Sequence, residues 1–230
     1  MNLAPKISVE RNIPLVIYGE NPAEYGSAIE ENSKPTKEPQ YYSSEFQLDD
    51  IFLGGVPAKK IIMDHDLKYS DLDAYLPTNP FKLEKVKTEV HYLGYYIKWH
   101  PQEMYYFSVE NTDFMPMPYR VEGGYSKYSS MDDKMDWLHW YTYYIKFGMG
   151  RTTHDSSQEC RNGDITREEG INLIQRFDGE FPDEFLEDCC IYMGITKETF
   201  LETIELFRTP HLWKKKNQLW ELSNPIWSNP

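Results

Sequence analysis

Cysteine is scarce in this 230-residue sequence, and the three present, Cys160, Cys189 and Cys190, form neither a CxxC pair nor a zinc-type spacing. That excludes a disulfide framework and fits a reducing cytoplasm, with the cysteines as small buried hydrophobes. Basic residues are also in deficit: 24 Lys and Arg face 37 Asp and Glu, for a net charge of −13. With no sustained basic stripe, neither nucleic acid nor an anionic membrane is expected as the main partner. No apolar run approaches the roughly 20 residues of a membrane span. The opening MNLAPKISVERN lacks the apolar centre of a signal peptide.

What is present suffices for a core. Hydrophobic residues make up 40% and aromatics 15%, and the length suits one large domain or two small ones. Residues 5–12 read as the end of a helix. Ile13-Pro14-Leu15-Val16-Ile17-Tyr18-Gly19 is an apolar run bounded by turn residues, the pattern of a strand in a parallel sheet covered on both faces. Glu20 and Asn21 follow at its carboxyl end, where ligands bind in open α/β sheets. Such a strand needs neighbours, and residues 22–80 offer only 51–55 and 59–63, so the sheet reads as incomplete. Residues 22–50 read as a long polar loop or a poorly ordered segment. Within 64–75 a short helix is expected. His65 between Asp64 and Asp66 is either part of a solvated loop or the start of a metal site that needs further ligands. Residues 88–99 read as a strand, and Pro101 as the first residue of a helix.

From residue 129 the periodicity is helical. Met131, Met135, Leu138, Thr142 and Ile145 share one face, with Ser129 or Ser130 as cap and Gly148 as stop. Gly148-Met149-Gly150-Arg151-Thr152-Thr153-His154-Asp155 then forms a corner between helices. Helix N-termini present free N–H groups and Arg151 adds a fork of donors, so the corner reads as an anion or carbonyl site. Equally, Arg151 and Asp155, four apart, make a helix-surface ion pair with Thr152 or Thr153 as cap. Thr166-Arg167-Glu168-Glu169 is a capping box for a helix that stops at Asp178-Gly179. Residues 183–193 form a helix burying Leu186, Cys190 and Met193, and Thr196 caps the last one. The tail, with Trp213, Trp220 and Trp227, docks on this protein or on a partner. The expected division is 1–128, 129–209 and a tail, 210–230.

Several stretches carry a family likeness: Asn12 through Pro22; Leu93-Gly94-Tyr95-Tyr96-Ile97-Lys98-Trp99; Glu122-Gly123-Gly124-Tyr125; Asp132-Asp133-Lys134-Met135-Asp136 with His139; and above all 144–182, containing KFGMGRTTHDSSQECRNGDITREEGINLIQRFDGEFP. Over about residues 5–208 the sequence resembles the N-acetyl sugar amidotransferases of lipopolysaccharide (LPS) O-antigen and nonulosonic-acid biosynthesis. The resemblance implies the C-terminal part of an α/β PP-loop sheet of the adenine nucleotide alpha hydrolase type, followed by a mostly α-helical subdomain. It implies an ATP pyrophosphatase chemistry with Mg2+, in which an amide oxygen is adenylylated and ammonia from a glutaminase subunit displaces AMP. A nucleotide-linked N-acetyl sugar then exchanges its acetamido group for an acetamidino group.

The family's SGGxDS loop and cysteine pairs are missing here. The expectation is therefore the C-terminal portion of such an enzyme, from a split gene, a truncated gene or a late start, inactive without the missing PP-loop half, which in the split-gene case is a separate N-terminal polypeptide. Positions carried over as substrate- or nucleotide-binding candidates are Glu20, Asn21, Asp133, Lys134, Asp136, His139, Lys146, Arg151, Asp155, Arg161 and Arg167. Arg151 is the first choice for a phosphate contact, and each has a capping or helix-surface role as its alternative. No catalytic residue and no metal ligand emerge. The competing reading is a non-catalytic remnant or interaction module that docks a glutaminase or glycan-pathway partner. A zinc hydrolase using His65 or His154 is more distant.

Overall fold

The computed structural model describes residues 2–21 and 33–228, and the chain divides into two compact units, 1–99 and 100–230. No helix among the described residues is long and apolar enough to cross a membrane.

In the first unit, α1 (Leu3–Arg11) leads into β1 (Leu15–Tyr18). A hairpin of β2 (Phe52–Leu53) and β3 (Val56–Pro57) precedes α2 (Ala58–Asp64), α3 (Tyr69–Leu72), α4 (Pro80–Val86), β4 (Glu89–Tyr92) and α5 (Leu93–Tyr96). The strand expected to lack neighbours has one. β1 pairs in parallel with β4, from Leu15 opposite Glu89 to Tyr18 opposite Tyr92. The strand expected over 88–99 stops at Tyr92, where α5 begins, and 59–63 is helical.

Residues 22–32 of the expected loop lie outside the described residues. The part from 33 onward is tied down rather than loose. Lys37 N–H donates to the Val90 carbonyl at 2.8 Å, and Tyr92 N–H donates to Pro35 at 2.9 Å. Tyr42, 2% exposed, packs with Leu83 and Val90, and this cluster also holds Val16 and Tyr18. β1 is thus covered on one face only: Leu15 and Ile17 are 51% and 53% exposed. Among the described residues, β4 is its one strand neighbour.

The second unit contains α6 (Pro101–Asn111), α7 (Lys134–Phe147), α8 (Arg151–Asn162), α9 (Arg167–Phe177), α10 (Asp183–Met193), α11 (Lys197–Glu205), β5 (Trp213–Lys216) and β6 (Leu219–Leu222). Its core joins Leu138 of α7 to Leu186, Cys189 and Cys190 of α10 and to Phe200 and Ile204 of α11. Local signals set most boundaries. Thr166 and Glu169 form the capping box, and the Thr196 hydroxyl accepts the Thr199 N–H at 3.1 Å. The cap of α7, however, is Asp133, whose Oδ1 accepts the Met135 N–H at 2.8 Å. Ser130 cannot serve, because it is left-handed at φ 51° and its hydroxyl donates to Asp136. Met193, at the end of α10, is 38% exposed rather than buried.

The boundary between units falls at residue 99 rather than 128 because the stretch after α6 is bonded into the helices. The Arg120 guanidinium grips Glu180 at 2.6 and 3.0 Å, and Tyr105 stacks on Tyr128 at 4.4 Å. The tail is no separate piece either. β5 and β6 pair as a hairpin, and Trp213, 4% exposed, donates its indole N–H to the Ile145 carbonyl of α7 at 2.7 Å.

Candidate functional site

The corner between α7 and α8 is built around a buried carboxylate. Gly148 ends α7 in the left-handed region at φ 76°, and Gly150 opens α8. A Cβ on Gly150 would lie 2.8 Å from Asp178 Oδ1, so glycine is what admits the carboxylate. Asp178 accepts the Gly150 N–H at 2.9 Å and the Thr153 N–H at 3.2 Å, together with the Thr153 hydroxyl. The helix N-terminus that reads as an anion site is thus filled by an anion of the chain itself, the arrangement a helix dipole favours. Burial pushes the Asp178 carboxyl above its ordinary value, and the bonds from Thr153 and Gly150 only partly offset this. Neither threonine is the cap: the Thr152 hydroxyl donates to the Gly123 carbonyl at 2.8 Å.

Arg151 turns into the same region and is satisfied there. Its Nε donates to Asp155 at 2.9 Å, and Nη1 donates to Ser130 Oγ at 2.6 Å and reaches Asp136 Oδ2 at 3.5 Å. The guanidinium also lies 5.2 Å from the Trp140 ring centroid. The Arg151 and Asp155 side chains are only 15% and 13% exposed. Burial alone would raise the Asp155 pKa, but the His154 hydrogen bond and the Arg151 charge outweigh it and hold the carboxyl below its ordinary value. One turn further along α8, burial, with the Asp155 and Asp164 charges, raises the Glu159 carboxyl above its ordinary value despite the nearby Tyr125 hydroxyl. Burial next to Glu159 and Asp155 pushes the Tyr128 phenol up to about 12.

The structure therefore brings together Asp136, Arg151 and Asp155. The other candidates are dispersed. Asp133 is a helix cap, and Lys134 pairs with Asp188 on the surface. His139 and Lys146 line a cavity between α7 and α11. Arg161 is exposed at the far end of α8, roughly 15 Å along the helix axis from Arg151, and Arg167, also exposed, opens α9. Glu20, exposed, and Asn21, 5% exposed, belong to the first unit. Among the described residues, no group of three or more His, Cys, Asp or Glu could hold a metal ion.

Sequence reasoning missed Asp178, Ser130 and Glu180. Asp178 reads locally as a helix stop, and its capping partner Gly150 lies 28 residues upstream. The one signal was the second glycine of Gly148-Met149-Gly150, which a simple helix end does not require.

Much of the second unit is similar to a domain named for LPS biosynthesis. Residues 122–226 match the family described as LPS biosynthesis protein WbpG-like, C-terminal domain. The match takes in the β5–β6 hairpin, beyond the residue 208 at which the likeness read from the sequence ends. No curated protein matches the chain.

Proposed function

We propose that the chain is the C-terminal part of an ATP-dependent N-acetyl sugar amidotransferase, converting a sugar acetamido group to acetamidino in LPS O-antigen biosynthesis in the cytoplasm. The WbpG-like match over residues 122–226 carries this reading. In it, the acceptor is a nucleotide-linked N-acetyl sugar, and a glutaminase supplies ammonia. ATP and Mg2+ are held by a separate PP-loop polypeptide.

Neither Gly-Gly pair among the described residues offers a phosphate cradle, which favours assigning ATP to a partner. A phosphate cradle needs a run of free backbone N–H groups. Gly54-Gly55 is used up in the turn joining β2 to β3. At Gly123-Gly124, the Gly123 N–H is taken by Glu180 at 3.0 Å. No chemical step through ATP is assigned to these residues.

The edge of β1 supports the idea of a partner. Parallel sheets occur almost only with both faces covered, whereas here Leu15 and Ile17 stand half bare on a strand with one neighbour among the described residues. In this reading the first unit is a remnant of a PP-loop sheet that the partner's strands and helices complete. Co-expression with an SGGxDS-bearing polypeptide of the same pathway tests it. A complex that survives size exclusion and is broken by Ile17→Arg is expected. Separate elution at micromolar concentration would contradict it.

One observation favours the non-catalytic alternative: the Arg151 cluster is closed on itself. An interaction module predicts that Arg151→Ala leaves turnover of the reconstituted system unchanged once folding is accounted for.

A further inference from the structure

The face between α7 and α11 holds a cavity of about 590 Å3, within the range of small-molecule sites. Ile145, Phe147, Ile195, Phe200, Ile204 and Phe207 form its apolar wall, and among the described residues no carboxylate lines it. Its threonine hydroxyls are turned back on their own helices: Thr142 donates to the His139 carbonyl at 2.8 Å and Thr203 to the Thr199 carbonyl at 2.7 Å. Beyond the threonines, the polar lining is Lys146, His139 and Tyr143. Lys146 Nζ lies 5.3 Å from the Phe147 ring centroid and 6.0 Å from that of Phe207. It makes no ion pair among the described residues, although acidic residues outnumber basic ones 37 to 24. The His139 ring, seven residues earlier on the same side of α7, has ring contacts with Trp140 and Tyr143.

We propose that this cavity binds a single amphiphile, an apolar chain bearing one anionic head, with the chain against the phenylalanines and the head on Lys146. Charge complementarity selects it. A neutral hydrocarbon leaves Lys146 unused, and a bare anion leaves the apolar wall unused. The net charge of −13 repels an anionic bilayer, which favours one lipid-like molecule over a membrane surface. The inference does not depend on the amidotransferase reading.

Calorimetric titration of the full chain with dodecyl phosphate below its micellar concentration tests it, with inorganic phosphate and dodecyl maltoside as controls. Dodecyl phosphate should bind about fourfold tighter than undecyl phosphate, the effect of one buried methylene. Lys146→Met, which keeps the stem, should weaken dodecyl phosphate at least tenfold and leave dodecyl maltoside unchanged. Thr203→Trp, filling the cavity from α11, should weaken both amphiphiles. If that variant fails to fold, Lys146→Met decides alone. The proposal is overturned by no binding, by equal affinity in the Lys146→Met protein, or by binding of inorganic phosphate alone. It is also overturned if phosphatidylglycerol vesicles bind but monomeric dodecyl phosphate does not, or if sedimentation shows a dimer that Thr203→Trp disrupts without any ligand binding.

Discussion

Asp178 occupies the space that a side chain at Gly150 would need: its Oδ1 lies 2.8 Å from where that Cβ would be. Three hydrogen bonds hold the carboxylate, so it cannot swing aside freely. Gly150→Ala should therefore destabilise the protein by about 1–3 kcal/mol, through overpacking at a fixed neighbour. Asp178→Ala should cost about 1–2 kcal/mol as a lost cap. Urea unfolding measures both. The double variant should cost less than the sum, since the clash disappears with the carboxylate.

The two buried carboxylates at this corner predict opposite pH effects. Asp155 has a folded pKa below its ordinary value of 3.8. Its stabilising contribution is present above the unfolded pKa and lost as pH falls through the folded one. Asp178 has a raised folded pKa. Its ionised form costs stability at neutral pH, and that cost is recovered as pH falls from the folded value towards the ordinary one. Asp155→Asn should thus flatten the acid limb of the stability curve, and Asp178→Asn should steepen it. Urea titrations from about pH 7 down to about pH 3 read this out, and two variants shifting the limb in the same direction would contradict it.

Arg151 serves the fold through its fork geometry. Arg151→Lys keeps the charge but cannot meet Asp155, Ser130 and Asp136 at once. The expected loss is about 1–3 kcal/mol, measured by thermal or urea unfolding. An unchanged melting temperature would mean that the network does not hold this corner.

Trp213 fixes the C-terminal hairpin to α7. Beyond its bond to Ile145, its ring lies 4.4 Å from the Arg208 guanidinium and edge-on to Tyr144 at 5.3 Å. Trp213→Ala should cost about 3–5 kcal/mol. Trp213→Phe, losing mainly the hydrogen bond, should cost about 1 kcal/mol. Limited proteolysis should release the tail in the first variant and not in the second.

What could be read from the sequence was local. The capping box at Thr166, the Thr196 cap, the proline opening α6 and the Gly148 stop each depend on residues within one turn, and all of them formed. The likeness to the sugar amidotransferases rests above all on the contiguous run 144–182, which lies within the WbpG-like match over 122–226. What could not be read was set by distant pairing. The Asp178 cap joins two helices, the partner of β1 lies more than 70 residues downstream, and the Lys146 cavity needs α11 to close it. The corner was recognised as polar, but its residues pair with each other, and the open pocket lies one helix face away.

The central claim is that this chain completes an ATP-dependent sugar amidotransferase. The most direct measurement is release of AMP and pyrophosphate by the chain mixed with an SGGxDS-bearing polypeptide of the same pathway, a glutaminase, glutamine and a UDP-N-acetyl sugar. The account predicts release that requires both polypeptides and the sugar, with the acetamidino product detected by mass. ATP left intact by the full mixture, or cleaved equally well without this chain, would contradict it.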